Sequence, residues 1–169
     1  MPAGSTLTFI GRIHTPWTQT GNCPRNSMES DEICSISVDQ PYRTGLASLE
    51  TCTHAIVLYW LHDAARNVTT LTPPNDHVSH GVFALRSPVR PNPIGLSVVD
   101  IVAVEADGLR VRHIDCLDGT PLLDIKPYFA STDSKPDARV GWHERRSRPL
   151  ARRNPGTGQN RSGVRQGPG

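Results

Sequence analysis

Two strings in the chain carry most of the side chains that could do chemistry. The first runs Arg86-Ser87-Pro88-Val89-Arg90-Pro91-Asn92-Pro93-Ile94-Gly95-Leu96-Ser97. Its three prolines fix φ at their own positions and disfavour helix at the residues before them, so the segment reads as a stiff, extended loop. Arg86, Arg90 and Asn92 offer donors suited to a carboxylate, a phosphate or a base edge. A proline-rich turn with solvated arginines would have the same composition. The second string runs from Asp115 to Tyr128. Within it, Asp118-Gly119-Thr120-Pro121 is a tight turn that exposes backbone N–H groups and a carboxylate. Asp124, Lys126 and Tyr128 then alternate, so they share one face of an extended segment. That spacing suits an acid–base cluster. It suits a solvated strand face with one weak ion pair equally well.

Two smaller signals accompany them. His62-Asp63 closes a long apolar run, and a site often lies at the end of such a strand. Cys23-Pro24-Arg25-Asn26-Ser27-Met28 sits in a polar loop that could close over a ligand, with Met28 as an adaptable apolar contact. Familiar nucleotide and hydrolase signatures are missing: there is no G-x-G-x-x-G, no Walker-type loop and no G-x-S-x-G elbow. Cys23, Cys34, Cys52 and Cys116 are widely spaced, with no C-x-x-C pair and no zinc-ligand spacing. They are expected as free thiols, with no metal site.

The elements that must position these residues are short. Residues 7–13 (LTFIGRI) read as a strand ending at Thr15-Pro16, and residues 33–38 (ICSISV) alternate with period two. Pro41 to Leu49 fits a short helix. Ala55-Ile56-Val57-Leu58-Tyr59-Trp60-Leu61 is a continuous apolar run, expected as a central strand buried on both faces. Residues 63–80 form a second long loop, and Gly81 to Leu85 reads as a short strand. Gly95 to Val104 is rich in β-branched residues; Asp107-Gly108 then turns the chain into Leu109 to Ile114, and Leu122 to Ile125 follows another turn. Many short strands with regular turn signals predict an antiparallel β-barrel or sandwich.

Composition agrees with that class. The chain has 169 residues, enough for one domain with a core, and its 15 prolines and 14 glycines favour turns over long helices. No apolar run approaches the ~20 residues needed to span a bilayer. No signal peptide is read at Met1 to Thr8, so a cytoplasmic location is expected. The formal charge of +2 is uneven: seven arginines from Gly141 onward face one acid, Glu144, while residues 1–140 hold eleven basic against fifteen acidic groups. The expected organisation is a β domain over residues 1–148 and a basic, disordered tail over 149–169.

The strings RSPVRPNPIGLSVV (86–99) and DGTPLLDIKPY (118–128) together resemble the TrmO family of tRNA adenosine-N6 methyltransferases, also called YaeB- or TsaA-like. Gly11-Arg12-Ile13 with Thr15-Pro16-Trp17, Pro24-Arg25-Asn26, and Thr53-His54 leading into Val57 to His62 match in the family's order, over roughly residues 7–135. The resemblance implies a mainly β protein, a single-sheeted antiparallel β-barrel with short helices, that binds S-adenosylmethionine without a dinucleotide-binding fold. It implies a homodimer with its site near the subunit boundary, and methyl transfer to N6 of threonylcarbamoyl-adenosine beside the anticodon of tRNA. Cofactor contacts carried over by matching position are Asn26, Ser27, Met28, His62, Asp63, Arg86, Leu96, Asp118, Gly119, Thr120 and Pro121.

Chemistry adds roles to that frame. Asp124 is the candidate base for the target nitrogen, with Lys126 and Tyr128 to position it or steady developing charge. Arg90 and Asn92 are candidates to hold the threonyl carboxylate or a phosphate. Neither a membrane nor a metal is expected as a partner. Longer family members carry a C-terminal domain after the DIKPY strand, where this chain has its arginine-rich tail, a possible electrostatic arm for RNA. Two alternatives stand beside the tRNA reading: methylation of a small metabolite or another RNA on the same barrel, and a non-catalytic S-adenosylmethionine-binding protein.

Overall fold

The computed structural model of the chain describes residues 6–74 and 76–147, with side chains through residue 144. The expected tail over 149–169 lies outside the described residues. Eight strands appear in order: β1 (Gly11–His14), β2 (Cys34–Val38), β3 (His54–Trp60), β4 (Thr70–Leu71), β5 (His80–Gly81), β6 (Ile94–Glu105), β7 (Gly108–Arg112) and β8 (Thr120–Pro127). Two short α-helices follow, α1 (Ala130–Asp133) and α2 (Gly141–Ser147). The chain divides after Lys135 into two units, and the barrel belongs to the first.

Six strands close into a barrel in the order β1-β2-β7-β6-β3-β8, every neighbouring pair antiparallel. Closure leaves no free edge, which removes the exposed N–H and C=O row that an open sheet would carry. β4 and β5 form a separate two-stranded ribbon. The period-two patterns explain which side chains go inside. Ile13, Ile36, Val57, Val99, Val111 and Leu122 alternate inward from the six strands, and each is at most 1% exposed. At about 25 cal/mol per Å² of apolar surface removed from water, this filled interior is the main source of stability.

Several expectations changed in detail. The first strand begins at Gly11, four residues later than the apolar run suggests. The Pro41 region is a 3-10 helix, Gln40–Leu46, entered through Pro41. Gly81 to Leu85 is not a strand: β5 ends at Gly81, and Val82–Ala84 forms a 3-10 turn. A five-residue apolar run cannot separate a strand from one helical turn by periodicity.

β3 is the most informative departure. Its inward residues Ala55, Val57 and Tyr59 are buried, while outward Ile56, Leu58 and Trp60 are only partly covered. The run is apolar on both faces because its outer face belongs to an apolar wall, not because the strand lies between two layers.

Candidate functional site

Strand direction decides which loops meet. β1, β3 and β7 run toward one rim of the barrel, and β2, β6 and β8 start from it. The loop 15–33, the segment after Trp60, the proline loop before Ile94 and the turn between β7 and β8 therefore all lie at that rim. Each of the four carries cofactor-matched residues: Asn26 to Met28, His62 with Asp63, Arg86, and Asp118 to Pro121. Segments far apart in sequence reach one rim because the sheet closes on itself.

Each segment is held in shape by its own bonds. Asn26 caps a 3-10 turn over Ser27–Glu29, its Oδ1 accepting from the Met28 N–H at 3.0 Å. Glu29 answers by accepting from the Asn26 amide at 2.6 Å and the Arg25 N–H at 2.9 Å. This reciprocal cap leaves Met28 72% exposed on an ordered turn. The Asn-x-x-Glu spacing was present in the sequence as a cap signal, and Glu29 is the residue that reading overlooked.

His62 and Asp63 are exposed, with Nε2 and Oδ2 3.6 Å apart. Arg86 donates through Nη2 to the Leu96 carbonyl at 2.7 Å, tying the proline loop to β6. Arg90 turns onto its own loop: Nη2 donates to the Val82 carbonyl at 2.6 Å and to the Leu85 carbonyl, and Nε donates to the Ser87 carbonyl at 3.0 Å. Its fork shapes the loop from within, while Asn92 stays exposed on the far arm.

The Asp118 turn is anchored to β1. Asp118 Oδ1 accepts from the Thr15 N–H at 3.1 Å, and the Gly119 N–H donates to the Ile13 carbonyl at 2.9 Å. Gly119 has φ of 75°, the left-handed region that glycine enters without a Cβ clash. Thr120 is 1% exposed and donates to the Leu117 carbonyl at 2.7 Å. Its hydroxyl is spent on the turn, so Asp118 and the backbone are what the turn offers a ligand.

A buried network that the sequence did not announce holds this turn from inside. Asp115 Oδ1 accepts from the Tyr59 hydroxyl and from the Ser97 hydroxyl, each at 2.8 Å. Tyr59 and Ser97 are inward residues of β3 and β6, so the chain entering the turn is fastened to both. Burial, reinforced by the Asp115 carboxylate, pushes the Tyr59 phenol far up. Gly95 makes the arrangement possible: a Cβ there would lie 2.0 Å from Tyr59 Cε2. Partners 18 and 56 residues from Asp115 leave no local pattern to read.

Outside the barrel, register brings the remaining candidates to one wall. Asp124 of β8 pairs with Leu58 of β3, and Leu58 pairs with Leu96 of β6. In the next row Lys126 pairs with Ile56, and Ile56 with Val98. Two inter-strand spacings separate Asp124 from Leu96, about 10 Å. Lys126 Nζ lies 2.5 Å from Asp124 Oδ2, and Asp124 Oδ1 accepts from the Ile125 N–H at 2.9 Å. Both side chains remain roughly half exposed. Tyr128 is beside His54, ring centres 6.4 Å apart.

His54 opens a further group. Its Nε2 lies 3.2 Å from Asp100 Oδ1, and His113 Nε2 lies 3.4 Å from Asp100 Oδ2. Among the described residues no group of three or more His, Cys, Asp or Glu is placed to hold a metal ion, and no helix is long and apolar enough to cross a membrane. The four cysteines are free thiols. Burial raises Cys34 to about 11, helped by the charge of Glu32, and burial with Asp115 nearby does the same for Cys23.

Comparison with known proteins agrees with this layout. The family model for the tRNA-methyltransferase O N-terminal domain matches residues 12–134. A probable S-adenosyl-L-methionine-binding protein of Archaeoglobus fulgidus is 44% identical over 138 residues, covering 82% of this chain and 38% of its own length. The tRNA (adenine(37)-N6)-methyltransferase of Escherichia coli strain K12 is 33% identical over 144 residues, covering 79% of this chain and 61% of its own. The crystal structure of TrmO from Pseudomonas aeruginosa aligns with a TM-score of 0.68 at 33% identity, over 82% of this chain and 62% of that one. The chain thus spans between about two fifths and three fifths of these relatives' lengths. With the match running from β1 to α1 and the same fold in the solved relative, this chain belongs to the tRNA-methyltransferase O N-terminal domain family.

Proposed function

We propose that this chain is an S-adenosylmethionine-dependent methyltransferase that methylates N6 of threonylcarbamoyladenosine beside the anticodon of tRNA. The observation that carries the reading is the convergence just described: four cofactor-matched segments meet at one rim, and Asp124 with Lys126 shares the adjoining outer wall with Leu96. The names of the Archaeoglobus and Escherichia relatives support the cofactor and the reaction respectively.

The residues present fit the chemistry of that cofactor. Exposed carboxylates at Asp63 and Asp118 suit an ammonium group or ribose hydroxyls, and the Arg86 guanidinium suits a carboxylate. Exposed Met28 and Leu96 suit an adenine face and an alkyl chain. When bound, S-adenosylmethionine supplies an electrophilic methyl group.

The protein's own contribution is alignment and one proton. The target nitrogen lies between an adenine ring and a carbamoyl carbonyl, so its lone pair is delocalised and loss of its proton strengthens it as a nucleophile. Asp124 receives that proton on its carboxylate. Lys126 fixes the carboxylate at hydrogen-bond distance, and Tyr128 closes the strand face beside it. Arg90 keeps the proline loop in the form that presents Asn92 to the threonyl carboxylate or a phosphate. A homodimer is part of this proposal: Ile94, Leu96 and Val98 are 41%, 44% and 37% exposed on one strand face, an apolar surface suited to a second copy at the edge of the site.

Incubation with labelled S-adenosylmethionine and tRNA, with and without threonylcarbamoyladenosine, followed by nucleoside mass analysis, tests the reading. Methyl transfer confined to the modified adenosine supports it. Transfer to another RNA or a small molecule instead would move the substrate assignment, and cofactor binding without transfer to any acceptor would leave a binding protein. The length of the relatives gives those rivals their interest, since the chain spans only part of each.

A further inference from the structure

Phe83 is the most exposed large apolar side chain among the described residues, at 87%. Scattered apolar exposure is ordinary, but this ring is held out on a rigid support. It sits in the 3-10 turn Val82–Ala84, between Val82 at 0% exposure and Leu85 at 9%. The Val82 N–H donates to the Thr69 carbonyl at 3.0 Å, and Arg90 grips the Val82 and Leu85 carbonyls from the other side. The backbone on both sides of Phe83 is therefore fixed, and none of the described residues covers the ring.

Its surroundings select the occupant. From His77 to Val99 the sequence contains Arg86 and Arg90 and no carboxylate. Arg86, three residues on, is exposed at the candidate rim. The adjoining carboxylate, Asp76, is turned to His80 at 3.4 Å. An exposed flat apolar ring three residues from an exposed arginine suits the stacking and phosphate contacts by which proteins receive an unpaired base of single-stranded RNA. We infer that Phe83 is a stacking platform for an unpaired purine of the RNA substrate, with Arg86 at its side. The inference rests on the reading of the chain as an RNA methyltransferase and adds the contact that would hold the target base outside the stack.

The test uses the full chain and binding alone, so that it does not depend on turnover. Anticodon stem-loops carrying either adenine or an abasic sugar at the target position are titrated against wild type, Phe83→Ala and Phe83→Tyr. Cofactor affinity and sedimentation mass are measured on the same samples. Wild type should prefer the intact loop by about fivefold or more, the scale of one base–aromatic stack. Phe83→Ala should lose the preference and Phe83→Tyr should keep it, with cofactor affinity and mass unchanged. Equal binding of the two loops by wild type, or an undiminished preference in Phe83→Ala, overturns the inference. So does a change of mass, which would assign the ring to a second copy, or a loss of cofactor affinity, which would assign it to the cofactor. A Phe83-dependent preference without methyl transfer would retain this contact and retire the catalytic reading.

Discussion

The two walls of the barrel are built from the same kind of strand and look different from outside. The β1–β2–β7 wall shows Arg12, His14, Ser35, Ser37 and Arg110 outward, polar groups of which Arg12 donates to the Gly119 carbonyl at 3.1 Å and His14 meets the Ser37 hydroxyl at 3.0 Å. The β3–β6–β8 wall shows Ile56, Leu58, Trp60, Ile94, Leu96 and Val98, bordered by Asp124 and Lys126. Inside, both walls contribute apolar side chains to the core, and the buried hydroxyls of Tyr59, Ser97 and Thr120 all belong to the second. A strand that is apolar outward when its own core does not require it has a second surface to meet, and here that surface adjoins the rim that gathers the cofactor-matched loops. On the proposed function, the difference separates a polar wall that supports the Asp118 turn from an apolar one that borders the reacting groups.

The largest effect should come from the ionic border of the working wall. Asp124→Asn keeps the shape and removes the proton acceptor, so methyl transfer should fall by about 100-fold or more while calorimetry shows cofactor affinity unchanged. Retained transfer would remove Asp124 from its role and break the comparison at its chemical end. Arg86→Ala should act on binding: losing a charged donor at the rim should weaken cofactor affinity by roughly 10-fold or more.

Inner and outer faces can be separated by stability. Leu122 is 0% exposed, and Leu122→Ala should cost about 2–5 kcal/mol in urea unfolding. Leu96 is 44% exposed, so Leu96→Ala should cost under about 1 kcal/mol in the monomer and show its effect in cofactor binding or in assembly instead. Tyr59→Phe takes one of two donors from Asp115 and should cost about 1–3 kcal/mol, loosening the Asp118 turn as it does so.

The smallest effect is alkaline. Cys23 and Cys34 sit at about 11 in the fold against an ordinary 9.0, so folding favours their neutral thiols. Their contribution is whole below pH 9 and drains away as pH rises through about 11. Denaturation midpoints should hold steady up to pH 9 and then decline, with Cys34→Ala flattening that decline.

The sequence made the barrel legible because alternation is local: Cys34–Val38 and Gly108–Arg112 show their inward residues in five positions each. It made the candidate site legible in pieces, since Asp124, Lys126 and the proline loop are short strings with a chemical character of their own. What it hid was set by closure. That Asp124 and Leu96 face the same wall depends on the bulge between Leu58 and Tyr59, which shifts the register of β8 against β3. The Tyr59–Ser97–Asp115 network joins three strings that only the closed sheet brings together. Gly81 to Leu85 reads as a strand and folds as a turn because one turn of 3-10 helix and a short strand bury similar residues.

Hydrogen exchange with and without S-adenosylmethionine tests the two-wall account most directly. The account predicts added protection in the segments around Asn26 to Met28, His62 to Asp63, Arg86 to Leu96 and Asp118 to Pro121, with β2 and β7 unchanged. Protection centred on β2 and β7, or spread evenly around the barrel, would contradict it.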